Sequence, residues 1–278
     1  MSILKFLFLT LCFFCLSCSS LEHIHAFSTT CLSGINHFQE LNHGFEQNCI
    51  SNCQFKIEQK AVIEQKLDCN CDKSAQADSI NTAIINVLLN YFSGLSILSD
   101  NHSLSSNFTP LANQIEKLKW LDSRHTKAYS DLSNLLLEAS TNGYRRKQLK
   151  AFIGEADISV QILLRKLESN FKINLINEMN TKNTRLTVFY QDAIRGKSMT
   201  DFQKVKVAEE YYQLLNENNV KKQNVLKFCN GLSAIAAAHQ KLFRSRGQMN
   251  ARETKDWIVQ YISNIQIIFS DFNKLNHP

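Results

Sequence analysis

Two prolines and eight glycines in 278 residues leave this chain very few places where a helix must stop. Proline removes a backbone donor and glycine loosens the backbone. A sequence poor in both runs in long helices where apolar residues recur every three or four positions. The spacing of apolar residues meets that condition along most of the chain. The expected fold is all-α, an elongated bundle of about six helices whose core is a narrow seam between rods.

The stripes can be followed in order. From Ser28, residues Cys31, Ile35, Phe38, Leu41, Phe45 and Cys49 hold one face. Over 74–98, Ile80, Ile84, Val87, Leu88, Tyr91, Phe92 and Leu95 make a strongly apolar helix expected in the middle of the bundle. A loop over 99–109 follows. Its two Asn-x-Ser/Thr triplets, at Asn101 and Asn107, are no more than chance provides in a chain so rich in Asn. Thr109-Pro110 is a cap and first-turn pair, so a helix is expected from there to about Ser140.

After Asn142-Gly143 the longest segment begins. Leu149, Ile153, Ala156, Val160, Leu163 and Leu167 share a stripe, and the helix runs to about Ile194, about 75 Å in all. Residues 196–199 break it, and Thr200-Asp201-Phe202-Gln203 is a capping box that opens the return helix. The return carries Val205, Ala208, Tyr212 and Leu215 on its seam, then Cys229, Leu232, Ile235, His239 and Leu242, and ends near Gly247. Trp257, Tyr261, Ile265, Ile268 and Phe272 mark a last amphipathic helix. Pairing the two long arms sets the Asn-rich 177–184 opposite 212–219, a polar waist. Beyond it the tip turns apolar again, which suggests a small two-helix head with Phe189, Tyr190, Phe202 and Tyr211 as partner-binding residues; the alternative is that the Asn residues only set register in a seam.

Cys31, Cys49, Cys53, Cys69 and Cys71 lie close in sequence, and Cys229 far away. In an oxidising compartment the first five are disulfide candidates. One unbroken helix over 28–68 would hold Cys53 and Cys69 about 24 Å apart, so the chain must bend if they pair. The Asn and Ser residues of 48–52 compete with the backbone and suggest a turn there, folding 28–47 onto 53–68 and bringing Cys31 beside Cys69 or Cys71; the alternative is a continuous helix whose cysteines pair elsewhere or stay reduced. A metal-binding protein using these cysteines is the alternative, although a Cys-x3-Cys and a Cys-x-Cys do not have the usual zinc spacings.

No catalytic residue or cofactor is expected. Glu40 and His43 have the Glu-x-x-His spacing of di-iron bundles but no second such motif accompanies them. His239 stands ten residues after Cys229, about 15 Å along a helix, too far to share a proton. No nucleic-acid partner is expected either, because Arg145-Arg146-Lys147-Lys150, Lys221-Lys222 and Arg244-Arg246 are short and lack interleaved aromatics. They would suit an anionic membrane or envelope polymer.

The first residues give an address. Lys5 precedes an apolar run over 6–16 that is too short for a permanent span and reads as an export signal. Its end, Leu16-Ser17-Cys18 followed by Ser19-Ser20, resembles the lipobox of bacterial lipoproteins, with Cys15 where that family's leucine usually stands. The resemblance implies lipidation of Cys18, a membrane partner held through the N-terminal lipid, and, from Ser19, the outer membrane. Ordinary secretion with cleavage after Ser20 is the alternative. Residues 1–17 are then the signal, 18–27 a tether and 28–278 one helical domain, with a cysteine-rich part over 28–73 and the long hairpin over 143–248. Losing the signal removes one Lys, so the net charge falls from +6 to +5. The expected function is a non-catalytic cell-envelope interaction or structural protein binding an unknown envelope partner. An inhibitor or exclusion factor of the immunity type is its alternative.

Overall fold

The structure is a computed structural model that describes residues 21–41, 44–60, 68–104, 121–196 and 199–276. All regular structure among the described residues is helical. In chain order the helices are α1 (Glu22–Asn36), α2 (Phe45–Glu58), α3 (Asp72–Ser99), α4 (Ser123–Thr141), α5 (Leu149–Ser169), α6 (Ile176–Arg195), α7 (Asp201–Arg244) and α8 (Arg252–Asn276). A 3-10 turn, His37–Leu41, follows α1. A π-helical turn, Asn170–Leu175, joins α5 to α6 in one rod.

One end of the bundle gathers the start of the described chain and several turns. There His23 Nε2 lies 2.8 Å from the Met249 carbonyl, the Leu104 N–H donates to the Tyr144 carbonyl at 3.0 Å, and Lys150 Nζ reaches the Gly247 carbonyl at 3.5 Å. From this base α1, α5 and α8 ascend, while α3, α4 and α7 descend to it. α1, α3, α5, α7 and α8 close a ring, each packed on the next, and α4 lies on α3 and α5.

The stripes explain the ring. Leu149, Ile153, Ala156, Val160, Leu163 and Leu167 of α5 are wholly buried, as are Cys229, Leu232, Ile235, His239 and Leu242 of α7. Tyr91, Tyr129, Phe27, Phe92, Phe152, Phe171 and Phe228 are the largest wholly buried rings of the core. Each such side chain contributes roughly 1.5–3 kcal/mol relative to exposure. α3 is long and apolar enough to cross a bilayer, but 67% of its apolar window is buried in the bundle, the position of a core helix.

Three expectations are corrected. Residues 22–27, expected as tether, form the first turns of α1, because Ile24 and Phe27 are buried against the ring. The helix expected to run unbroken from Thr109 to Ser140 has a start at Ser123, while the expected start at Thr109-Pro110 lies outside the described residues. Asp122 caps it by accepting from the Arg124 and His125 backbone N–H groups at 3.1 Å, which helps hold its carboxyl below the usual range. The turn expected at 48–52 lies inside α2, whose helix is continuous there.

Phe269 of α8 closes the ring against α1 and α7. A β-carbon at Gly34 or Gly231 would occupy the place of its aromatic ring, and His37 stacks on it at 5.1 Å. Helix propensity alone makes Gly231→Ala stabilising by up to about 1 kcal/mol. Displacing a packed ring costs about 1–3 kcal/mol, so packing wins. Gly231→Ala is expected to lower the melting temperature by several degrees, at about 2–4 °C per kcal/mol for a chain of this size. An unchanged or higher melting temperature would show that Phe269 moves aside freely.

Candidate functional site

The main core ends at Met179 of α6. Above it Asn218, nearly buried, donates to the Met179 carbonyl at 3.1 Å and to Asn183 Oδ1. Asn183 in turn donates to Asn219 Oδ1 at 3.0 Å, and Lys222 reaches Asn180 Oδ1 at 3.2 Å. These bonds are the polar waist, and they fix the register of α6 on α7.

Beyond the waist stands a second, separate apolar cluster of Phe55, Leu186 and Tyr190, with Phe189, Val207, Tyr211 and Leu214 packed around it. Phe55 belongs to α2, so the head has three helices and not the two expected. α2 climbs beside α6. Asn48 Nδ2 donates to Glu178 Oε2 at 2.8 Å, Lys182 Nζ to Ser51 Oγ at 2.6 Å, and Phe55 meets Phe189 edge-on at 5.6 Å.

Two devices hold α2 there. Its first N–H groups, on Phe45 and Glu46, donate to the Asp78 carboxylate of α3, each at 2.9 Å, so one helix caps another. Gly44 is required at the junction, since a β-carbon would meet the same carboxylate at 2.5–2.7 Å. Disulfides Cys49–Cys71 and Cys53–Cys69 then fasten α2 to the start of α3. The four-residue spacing puts Cys49 and Cys53 on one face of α2, opposite the returning strand of chain.

Cys31 is the cysteine that sequence reasoning misplaced. It is a wholly buried free thiol on the core face of α1, and Cys229 is likewise free and buried. Burial pushes the Cys31 thiol well up and the Cys229 thiol to about 12, which keeps both protonated and poor as nucleophiles or ligands. The four other described cysteines are spent in disulfides, which removes the thiolates that the metal-binding alternative needs. A cleft of about 580 Å³ beside the disulfides is lined by Lys56, Lys60, Asp68, Ser74 and Glu178. Among the described residues no three His, Cys, Asp or Glu side chains gather to hold a metal.

His239 sits at the centre of the main core. Its Nε2 is 2.7 Å from the Tyr91 hydroxyl and its Nδ1 3.1 Å from Asp157 Oδ1, with Tyr91 stacked on Phe152 at 5.2 Å. The order carboxylate, imidazole, hydroxyl is that of a hydrolase triad. Here the hydroxyl is a wholly buried phenol whose pKa is pushed well above its ordinary value, first by burial and then by Asp157. Tyr91 and His239 are wholly buried, and the network is a hydrogen-bonded polar element of the core. The sequence singled out His239 but gave no signal for Tyr91 or Asp157, which lie 148 and 82 positions away.

The predicted partner-binding residues divide. Phe202 is 71% exposed, whereas Tyr190 is only 7% exposed. Tyr190 is therefore not the exposed anchor expected, because it fills the head's own core. Phe189 and Tyr211 are half-buried, and the Tyr211 hydroxyl lies 3.0 Å from Thr187 Oγ1. Val205 and Tyr212, expected on the seam, are 55% and 65% exposed. The seam runs instead through Val207, Tyr211, Leu214 and Asn218. The 202, 205, 212 spacing places three large apolar side chains on one outward face of α7, with Val188 of α6 exposed as well.

Cys18, the export signal, His43 and the side chain of Glu40 lie outside the described residues. The chain matches no protein-family model, no curated protein and no solved structure.

Two measurements follow from this geometry. Peptide mapping is expected to recover Cys49 linked to Cys71 and Cys53 to Cys69, with Cys31 and Cys229 as thiols. Reduction should loosen α2 and cost about 2–4 kcal/mol per closed loop. Tyr91→Phe removes the partner of a buried imidazole nitrogen and is expected to cost about 1–3 kcal/mol in chemical denaturation. A neutral result would mean that His239 finds another partner.

Proposed function

We propose that the protein is an exported, non-catalytic interaction protein of the cell envelope, anchored by a lipid on Cys18, which meets a partner protein with the outward face of its head. The observation that carries this reading is the exposed face of Phe202, Val205 and Tyr212. Large apolar and aromatic side chains set singly on a surface are ordinary, but three on one helix face supply anchors of the kind that dominate interface energies. That face lies at the far end of a rod of 21, 6 and 20 residues rising from the base, about 70 Å long. Its position is what an envelope-anchored protein needs to reach outward. Two disulfides are consistent with an oxidising compartment and so with export.

A photo-crosslinking side chain at position 202, 205 or 212 is expected to give one partner adduct in intact cells, and the same group at the equally exposed Ile158 none. Phe202→Ser combined with Tyr212→Ser should abolish the adduct while leaving the helical spectrum unchanged, since neither residue is in the head's core. Each loss is on the order of tenfold or more in affinity. Cys18→Ser should release the protein from the membrane fraction. Adducts of equal yield at 158, or a double variant that still crosslinks, would move the site away from the head. Unchanged fractionation of Cys18→Ser would remove the anchor.

A further inference from the structure

We propose that the base of the bundle is a docking surface for anionic phospholipid headgroups, seating the body upright on the membrane that holds its N-terminus. This rests on the reading of Cys18 as a lipid anchor. The basic clusters that looked like separate solvated stretches in the sequence are brought together by the fold. The turn from α4 to α5 carries Arg145, Arg146, Lys147 and Lys150, and the turn from α7 to α8 carries Arg244, Arg246 and Arg252. Lys150 reaches the Gly247 carbonyl at 3.5 Å, and Arg246 packs beside Gly154 of α5, so the two turns are neighbours. His23, at the start of α1, is 2.8 Å from the Met249 carbonyl, which places the entering chain beside the same turns.

The two turns, 142–150 and 244–252, hold seven Arg and Lys and no carboxylate. The carboxylates around them are those of Glu22, Asp100, Glu138, Glu155, Glu253 and Asp256, with Asp256 lying 4.0 Å from Arg252. Arg145, Lys147, Lys150, Arg244 and Arg252 are exposed. Arg246 is half-buried, stacked on Phe243 at 4.1 Å and donating to its carbonyl. Phosphate is the matching partner, since guanidinium and ammonium groups bind it by charge-assisted hydrogen bonds.

Distance makes the membrane the partner to expect. Leu21 is buried in the bundle, and Cys18 stands three residues before it in sequence. Three residues reach about 10 Å at most. That is close to the Debye length of about 8–10 Å at physiological salt, so an acylated Cys18 would hold the basic turns where headgroup charge still acts on them. Each cation within that range strengthens binding by about fivefold, from about 1 kcal/mol per residue. The head, about 70 Å away along α5 and α6, then points outward.

The test uses the full mature chain carrying Cys18→Ser, so that no acyl chain contributes, in co-sedimentation with vesicles. Binding is expected to vesicles of phosphatidylcholine mixed with phosphatidylglycerol, to be absent from phosphatidylcholine alone, and to be lost at high salt. Arg145→Gln, Lys147→Gln, Lys150→Gln and Arg244→Gln together should weaken it at least about tenfold. Lys204→Gln with Lys206→Gln, at the head, should leave it unchanged. Equal binding to both vesicle types, no binding to either, or equal loss in the two variants overturns the proposal. Retention on polyphosphate without vesicle binding also overturns it, in favour of an anionic polymer. The anchor is read separately, from acyl mass on the N-terminal peptide of the wild-type chain. Its absence would remove the anchor without altering the vesicle result.

Discussion

The structure depends on keeping one apolar line buried along a helix that turns by 100° at every residue. In α5 the line is met by steps of three and four, which average to the helical period. From Leu167 the steps are all of four, through Phe171 and Leu175 to Met179. On a regular α-helix three such steps would carry the stripe about 120° out of the seam. Yet all four side chains are buried. The π-helical turn at Asn170–Leu175 accounts for this, because i→i+5 bonding widens the turn and takes up the drift. α6 therefore leaves the bundle still facing α7, and the waist and the head inherit that alignment.

The head then needs an outside brace. Its core is three buried residues, and of the fourteen residues in α2 only Phe45, Asn48 and Phe55 are buried. A helix of that length is marginal on its own in water. The Asp78 cap and the two disulfides supply from α3 what the small apolar contact does not. They also make the bracing of α2 depend on oxidation of Cys49, Cys53, Cys69 and Cys71. The main bundle has no such dependence, for Cys31 and Cys229 are thiols within a continuous core.

What was legible in the sequence was whatever depends on spacing along one helix. The stripes of α3, α5 and α7's lower half and the Thr200–Gln203 capping box lie where spacing put them, whereas the waist uses the expected Asn residues in a shifted register, Asn183 meeting Asn219 and Asn180 meeting Lys222. What was not legible depends on a choice between two equivalent faces or on distant partners. In the first turns of α7, Val205 and Tyr212 make as good a stripe as Val207, Tyr211 and Leu214. Only Leu186, Tyr190 and the Asn218 bonds, all requiring α6, decide between them. Cys49, Cys53, Cys69 and Cys71 are paired, as disulfide candidates should be, but the placing of Cys31 beside Cys69 or Cys71 failed for a similar reason. Asn and Ser at 48–52 mark a turn by propensity, but the cap from Asp78, 32 and 33 residues away, keeps α2 helical through them. The break before α4 was not read, because Asp122 acts as its cap within a stretch taken as one continuous helix from Thr109.

The scarcity of glycine and proline gives the arm its meaning. Between Gly154 and Gly196 the ascending rod contains neither glycine nor proline, and α7 has Gly231 alone, packed under Phe269 in the ring. The waist is polar without being loose, since its Asn residues bond across the two helices. A face carried on such an arm keeps its height and direction relative to the base. A partner meeting it has little backbone left to order, and ordering is one of the costs that separate buried area from affinity. Rigidity also couples the two proposed surfaces by geometry alone. If headgroups seat the base, Phe202, Val205 and Tyr212 are presented at a fixed distance from the bilayer, and a partner at another height would be missed.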